Sequence, residues 1–412
     1  MQKLLRSLQS TLAIDSSHPE GAVDCLHHVL SMAQEMGFRV HNMDDMVGWA
    51  EYGEGKELVI VLGHLDVVAP GSGWTKPPFG GVIENDRLYG RGTTDDKGPI
   101  LSALFALNDI KEKGIRLSRR VRILFGTREE TGCEDVKYYV NHGGELPIWG
   151  FTPDGEYPLI HGEKGLLIEE YSIPFTPGTL VSIHGGQAAN MVPDYACAAL
   201  SDGTKVETFG KAAHGAEPWE GVNAIGLLLE KLAALPLEGQ LAGALSFLRE
   251  RIGMQTRGES LGIAMADEIS GPLSFNLGML HTDGQTLRVT VNYRYPVTRS
   301  YEDCAPQVKR AFEAAGFVRT AEAYDEKLYI PQDELLIQRL LGIYNAHTGE
   351  SASPICIGGG TYAKSMPNIV AFGPIFPGDE VTEHKPDEYI TLENLSRNRA
   401  IYRDAILSLA SD

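Results

Sequence analysis

The sequence predicts an α/β protein: a mostly parallel sheet with helices on both faces, interrupted by an inserted α+β segment. Three observations lead there. Two nearly continuous apolar runs, Leu58-Val59-Ile60-Val61-Leu62 and Val121-Arg122-Ile123-Leu124-Phe125, read as buried strands. Stretches of helical periodicity over about 21–36 and 98–113 accompany them, the alternation expected of a sheet covered on both sides. From about Lys164 to Lys327 the pattern changes. Amphipathic strands are expected there over 165–173, 204–209 and 286–295, with helices over 221–235 and 301–315. After about Tyr329 the first pattern resumes, with a helix over 333–348, a strand over 369–372 and a closing helix over 392–409. The simplest organisation is one domain built from 1–163 and 328–412, split by an inserted domain of 164–327. There is no internal repeat, low-complexity tract or long linker.

Composition narrows the class. The chain has 412 residues, 43% of them hydrophobic and 22% charged, as in ordinary soluble globular proteins. No run approaches the roughly eighteen apolar residues that suggest a membrane span. The opening Met1-Gln2-Lys3-Leu4-Leu5-Arg6-Ser7-Leu8 mixes polar and apolar residues at helical spacing without a secretory core, so an amphipathic helix of a cytoplasmic protein is expected. A formal charge of −19, with no cluster of Lys and Arg, argues against nucleic acid as a partner. The five cysteines are scattered and form no CxxC pair, which fits reduced structural thiols.

Four polar constellations sit where such a sheet places its chemistry, at the carboxyl ends of strands. Gly126-Thr127-Arg128-Glu129-Glu130-Thr131-Gly132 follows the second apolar run. Two adjacent carboxylates there repel each other and call for a positive partner or a proton to carry. Gly63-His64-Leu65-Asp66 follows the first run, and residues i and i+2 of an extended chain face the same way, so Asp66 can reach the His64 ring. Tyr89-Gly90-Arg91-Gly92-Thr93-Thr94-Asp95-Asp96-Lys97-Gly98-Pro99 fits neither phosphate-loop spacing, and delivers an Asp pair to a loop before a helix, suited to a carboxylate bridging two metal ions. Phe151-Thr152-Pro153-Asp154-Gly155-Glu156 adds another Asp in a Pro/Gly turn. Taken singly, each is as well explained by a satisfied histidine or a solvated acidic turn. Together they supply nitrogen and oxygen donors without cysteine, a set suited to catalytic zinc, manganese or cobalt. A second histidine is needed, and Glu383-His384-Lys385-Pro386-Asp387-Glu388 offers His384.

GHLDVV, YGRGTTDDKGP, GTREETG, FTPDGEYP, GKAAHGAEPWEGVNA, SGPLSFNLGML, NYRYP, GGGTYA and EHKPDE occur in that order over nearly the whole chain. In this the sequence resembles the aminoacylase/carnosinase/carboxypeptidase-G-type family of co-catalytic di-zinc peptidases, and most of all its bacterial dipeptidase V branch. The resemblance implies a metal-dependent dipeptidase with two divalent ions, zinc first, with manganese or cobalt as alternatives. It implies that His64 and Asp154 hold one ion, that Glu130 and His384 hold the other, and that Asp95 bridges them, followed by a cis peptide to Asp96. Glu129 would be the general base and Asp66 the support of His64. The inserted domain would be a lid. Its His214 would steady the oxyanion, while Asn190, Arg294, Gly359 and Thr361 would bind the substrate carboxylate, a task the planar fork of Arg suits. One departure from the family pattern is Arg128, where relatives often carry an acidic or neutral residue; it is expected to face solvent. The length of the insertion implies that His214 serves its own chain, so a monomer is expected, with a dimer as the other outcome. The competing readings are an N-acyl-amino-acid deacylase or desuccinylase on the same scaffold, and a binding protein that has lost catalysis. The retention of Glu129 and of every ligand position disfavours the latter.

Overall fold

The computed structural model describes residues 1–237 and 239–411, which divide into two compact units: residues 1–161, 330–355 and 360 onward form the first, and 162–329 with 356–359 form the second.

The first unit is built on a sheet in which Arg39–Met43, Val47–Tyr52, Arg120–Gly126, Leu58–His64, Trp149–Thr152, Ile369–Ala371 and Ile160–Glu163 lie side by side in that order. The central pairings are parallel: Leu58–His64 with both Arg120–Gly126 and Trp149–Thr152, and Trp149–Thr152 with Ile369–Ala371. Antiparallel strands flank them. Every residue of Leu58–His64 is buried. Since successive side chains point to opposite faces, both faces of this strand are covered. The helix Lys97–Glu112 is buried on nearly all sides, which its run Ile100-Leu101-Ser102-Ala103-Leu104-Phe105-Ala106-Leu107 requires. It packs against the closing helix Leu392–Ala410 and the Leu58–His64 strand. A small three-stranded sheet joins Val82–Glu84, Arg87–Tyr89 and Tyr389–Thr391, so residues near both ends of the chain meet beside the Asp95 loop.

The second unit has its own core. Its seven-stranded antiparallel sheet runs Lys205–Phe209, Tyr195–Leu200, Leu180–Gly185, Ser274–Thr282, Thr286–Tyr295, Gly165–Pro174 and Val318–Asp325. Burial alternates along Gly165–Pro174, the pattern of a sheet with one packed face. The helices Ala224–Leu232, Gly239–Arg251 and Ala305–Ala314 belong to this unit. Two expected helices are shorter than their periodicity suggested. The first begins only at Ala224, because the Asn223 side chain caps Ile225 and Gly226 and Pro218–Glu220 forms a separate 3-10 turn. The second opens as a 3-10 turn, Tyr301–Asp303, closed by a reciprocal Ser300–Asp303 cap, and Pro306 then occupies the first turn of the helix proper.

Among the described residues no helix is long and apolar enough to cross a membrane.

Leu104 lies fully buried in the helix that supports the Asp95 loop. Alanine favours helix as well as leucine does, so Leu104→Ala removes packing alone. Urea denaturation followed by circular dichroism should show a loss of about 2–5 kcal/mol.

Candidate metal centre

Five strand ends and loops of the first unit converge on one cluster. His64, the last residue of its strand, is fully buried. Its Nδ1 lies 2.9 Å from the main-chain carbonyl of Asp66, an acceptor only, so in the neutral ring Nδ1 carries the hydrogen and Nε2 presents a lone pair. That Nε2 lies 2.8 Å from Asp95 Oδ1 and 3.9 Å from Asp154 Oδ2. The other oxygen of Asp95, Oδ2, lies 2.9 Å from His384 Nε2, which is itself 3.1 Å from Glu130 Oε1. Ligand atoms of His64, Asp95 and Glu130 lie within 4.8 Å of one another. Asp95 therefore stands between two imidazoles, one oxygen to each. The Asp95–Asp96 peptide is cis, and the helix Lys97–Glu112 begins just after it, so the positive end of its dipole faces the carboxylates.

Asp66 meets His64 twice: its main-chain oxygen at 2.9 Å and its carboxylate Oδ1 at 3.5 Å from Nδ1. The carboxylate also accepts the N–H groups of Glu129 and Glu130, at 3.2 and 3.1 Å. Just before them, Thr127 and Arg128 donate their N–H groups to Asp135 at 2.6 and 2.8 Å. Asp135 also accepts the Tyr362 hydroxyl at 2.7 Å. Four successive N–H groups are thus held by two carboxylates, and this fixes the turn carrying the Glu pair. Asp135 escapes sequence reasoning because its partners are main-chain groups, which any residue provides. Its only signal is an acid in the first turn of the helix Glu134–Asn141. Arg128 is half-exposed. Cys133, whose Sγ lies 3.8 Å from Glu129 O, is among five free cysteines, and burial pushes its thiol up to about 12.

The electrostatics of the cluster are unbalanced. Burial, reinforced by Asp154, Glu130 and Asp95, pushes Glu129 up to about 9. Burial also raises Glu383 to about 8, and carries Asp96 well above the usual carboxylate range. For His64, burial works against the charged form, but Asp66 and Asp95 outweigh it and hold the ring well above the ordinary histidine value. Hydrogen bonds to Asp95 and Glu130 bring His384 up to about 10. Four carboxylates (Asp95, Glu129, Glu130, Asp154) thus surround two imidazoles, and their mutual repulsion favours a positive partner. Nitrogen and oxygen donors about 3.4 Å apart are what two ligands ~2.1 Å from a tetrahedral zinc ion would show, and the observed separations span 2.8 to 3.9 Å. The donor set fits divalent cations.

The remaining expected residues lie elsewhere. In the second unit, Gly215 N donates to Asn190 O at 2.7 Å. His214 is exposed, and burial of its ring atoms and the charge of Arg294 lower its pKa. Arg294 is buried, donates to Gly358 O, and keeps its Nε without a partner; burial lowers its pKa to about 10. Asn190, His214 and Arg294 thus belong to one unit, together with Gly358 and Gly359. Thr361 counts with the first unit, where its hydroxyl caps the 3-10 turn Tyr362–Ser365.

A cluster of carboxylates and imidazoles at the ends of parallel strands defines an α/β protein with a candidate metal centre. A model of Peptidase family M20/M25/M40 matches residues 60–408, and the chain belongs to that family. "Putative dipeptidase YtjP" of Bacillus subtilis is 37% identical over 95% of this chain and 91% of its own. Among solved structures, aminoacylhistidine dipeptidase from Vibrio alginolyticus shares the fold with a TM-score of 0.67 at 15% identity, covering 99% of this chain and 96% of that one. Human carnosine dipeptidase 1 does so with a TM-score of 0.61 at 15% identity, covering 99% and 97%.

Gly126 ends the strand before the Glu pair, and a Cβ there would lie 1.9 Å from Tyr362 Oη and 2.4 Å from Asp135 Oδ2. Gly126→Ala should therefore displace both groups and loosen the turn. A loss of about 1–3 kcal/mol in thermal or urea unfolding is expected, together with weaker metal uptake by equilibrium dialysis.

Proposed function

We propose that this chain is a metal-dependent dipeptidase that hydrolyses the peptide bond of small dipeptides. The observation that carries the reading is the Asp95 carboxylate, one oxygen 2.8 Å from His64 Nε2 and the other 2.9 Å from His384 Nε2. In this reading His64 and Asp154 hold one ion, Glu130 and His384 hold a second, and Asp95 bridges them. Zinc is the first choice, and manganese or cobalt suit the same donors. Such ions, when bound, supply a more acidic water and a polarised scissile carbonyl.

The chain's own residues supply the rest. Glu129 stands beside the ligands without a role among them, and its burial favours the protonated state once it has taken a proton. It receives the proton of the attacking water and returns one to the leaving amine. Asp66 orients Glu129 by binding its N–H. The inserted domain, 164–327, acts as the lid: His214 donates to the developing oxyanion, and Asn190, Arg294, Gly359 and Thr361 receive the substrate carboxylate. The buried, incompletely partnered guanidinium of Arg294 supports that role. The length of the insertion lets His214 serve its own chain, so a monomer is the proposed state, in the cytoplasm. The names of the relatives support the choice of dipeptides.

Four experiments test the reading. Turnover of Ala-Ala-type dipeptides should exceed that of N-acetyl and N-succinyl amino acids; the reverse order would make the protein a deacylase. Arg294→Ala should raise KM for dipeptides far more than for a C-terminally amidated analogue, whose carboxylate is gone.

Asp95→Ala is expected to lose both ions when metal content is measured after dialysis. Two full equivalents retained would exclude the bridge.

Glu129→Gln should keep its metal and its substrate affinity while kcat falls by about two to four powers of ten, because only proton transfer is removed. Glu130→Gln should instead release metal. Exchanged phenotypes would reverse the two assignments.

A further inference from the structure

The loop that carries His384 is fastened to the loop that carries Asp95 by a buried ion pair that hydrolysis does not use. Glu388 is fully buried and Arg91 very nearly so. Arg91 Nη1 donates to Glu388 Oε2 at 2.6 Å. The other oxygen, Oε1, accepts the N–H groups of Gly92, Thr94 and Asp95 at 3.1, 2.9 and 3.3 Å. The main chain adds two more ties: Gly90 N donates to Glu388 O at 2.9 Å, and the Thr94 hydroxyl to Tyr389 O at 2.9 Å. One residue earlier, Asp387 accepts the N–H groups of Thr75 and Lys76 at 2.8 and 3.1 Å, and the Thr75 hydroxyl at 2.8 Å.

These ties matter because the two histidines are held in different ways. The His64 side chain is 0% exposed, and the core around it fixes the ring. The His384 side chain is 54% exposed, on a residue with φ of +59°. Little packs around it, so its distance from Asp95 is set through the chain, by what anchors residues 387 and 388. Stability alone does not account for the anchor. Nε and Nη2 of Arg91 are buried without partners, and a buried ion pair often contributes no more than apolar residues of the same size would. What a carboxylate bonded to three consecutive-loop N–H groups does well is fix geometry.

We propose that Glu388 is a positioning residue for the His384 half of the metal centre. By tying the 91–95 loop to the 384–388 loop, it sets the separation of Asp95 Oδ2 and His384 Nε2 and so the affinity of that half, while the His64 half holds its ion without it. The proposal rests on the dinuclear reading above. Partners of this kind, one bond removed from the ligands, typically change metal affinity about 10–100-fold.

The test is a titration of chelator-stripped, full-length protein with Co²⁺, followed by calorimetry and by visible absorption. The unmutated protein should take up two equivalents. Glu388→Gln keeps the size of the side chain and removes the charge. It should weaken one step by about 10–100-fold, leave the other unchanged, and regain kcat when Co²⁺ is supplied in excess. General loss of structure would not produce that rescue. Should Glu388→Gln fail to fold, Asp387→Asn loosens the same loop from its half-exposed side and should weaken the same single step. Equal weakening of both steps, or an unaltered titration of the folded Glu388→Gln variant, would overturn the proposal; where that variant does not fold, an unaltered Asp387→Asn titration would do so. Uptake of fewer than two ions by the unmutated protein would remove the dinuclear reading and the proposal with it. Two ions there, with an unchanged Glu388→Gln titration, would remove the proposal alone.

Discussion

The rest of the first unit depends on how much negative charge Asp95 and its neighbours bring into one small volume. Asp95, Glu129, Glu130 and Asp154 converge with Asp96 and Glu383 close behind, and burial raises the cost of ionising several of them. Charges of one sign in a low-dielectric setting must be compensated or neutralised. The surroundings are built accordingly. A helix N-terminus points at the Asp pair, main-chain N–H groups point at Asp66, Asp135 and Glu388, and the two imidazoles face Asp95. Each of these groups holds a position more than it adds stability, and together they leave the donor atoms preorganised.

The two units divide the physical tasks. Parallel strands buried on both faces make a rigid base, and their carboxyl ends give short loops a common origin. That is why residues as far apart in sequence as His64, Glu130, Asp154 and His384 can meet. The antiparallel unit packs one face of its sheet and carries His214 on a loop beside Asn190.

Much of this was legible in the sequence because its signals are local. The runs 58–62 and 121–125 announce their strands, since a strand buried on both faces must be apolar throughout, and the structure extends them to Leu58–His64 and Arg120–Gly126. Elements that need little local contrast were not visible. The edge strand Val318–Asp325 is exposed along nearly its whole length, so no alternation marks it, and the helix Gly239–Arg251 buries only Ala244, Leu245 and Leu248, too few to mark a periodic face. In the site, His64, Asp95, Glu130 and His384 stood out because they are unusual residues at strand ends and turns. The partners of Asp66, Asp135 and Glu388 did not, because a carboxylate that bonds main-chain N–H groups leaves no matching residue type for a reader of sequence to find.

Each residue from Thr127 to Glu130 is held by its main-chain N–H, and for Arg128 that is the tie that fixes it. A fastening of that kind is blind to side-chain identity, because every residue except proline offers the same N–H. The position between the strand and the Glu pair is therefore free to drift without moving the carboxylates that follow. A basic residue stands at Arg128, half-buried, with its N–H held like its neighbours'. The chemistry is insulated from its immediate neighbour in sequence, which leaves that neighbour available for tuning surface charge at the rim of the site independently of what happens inside it.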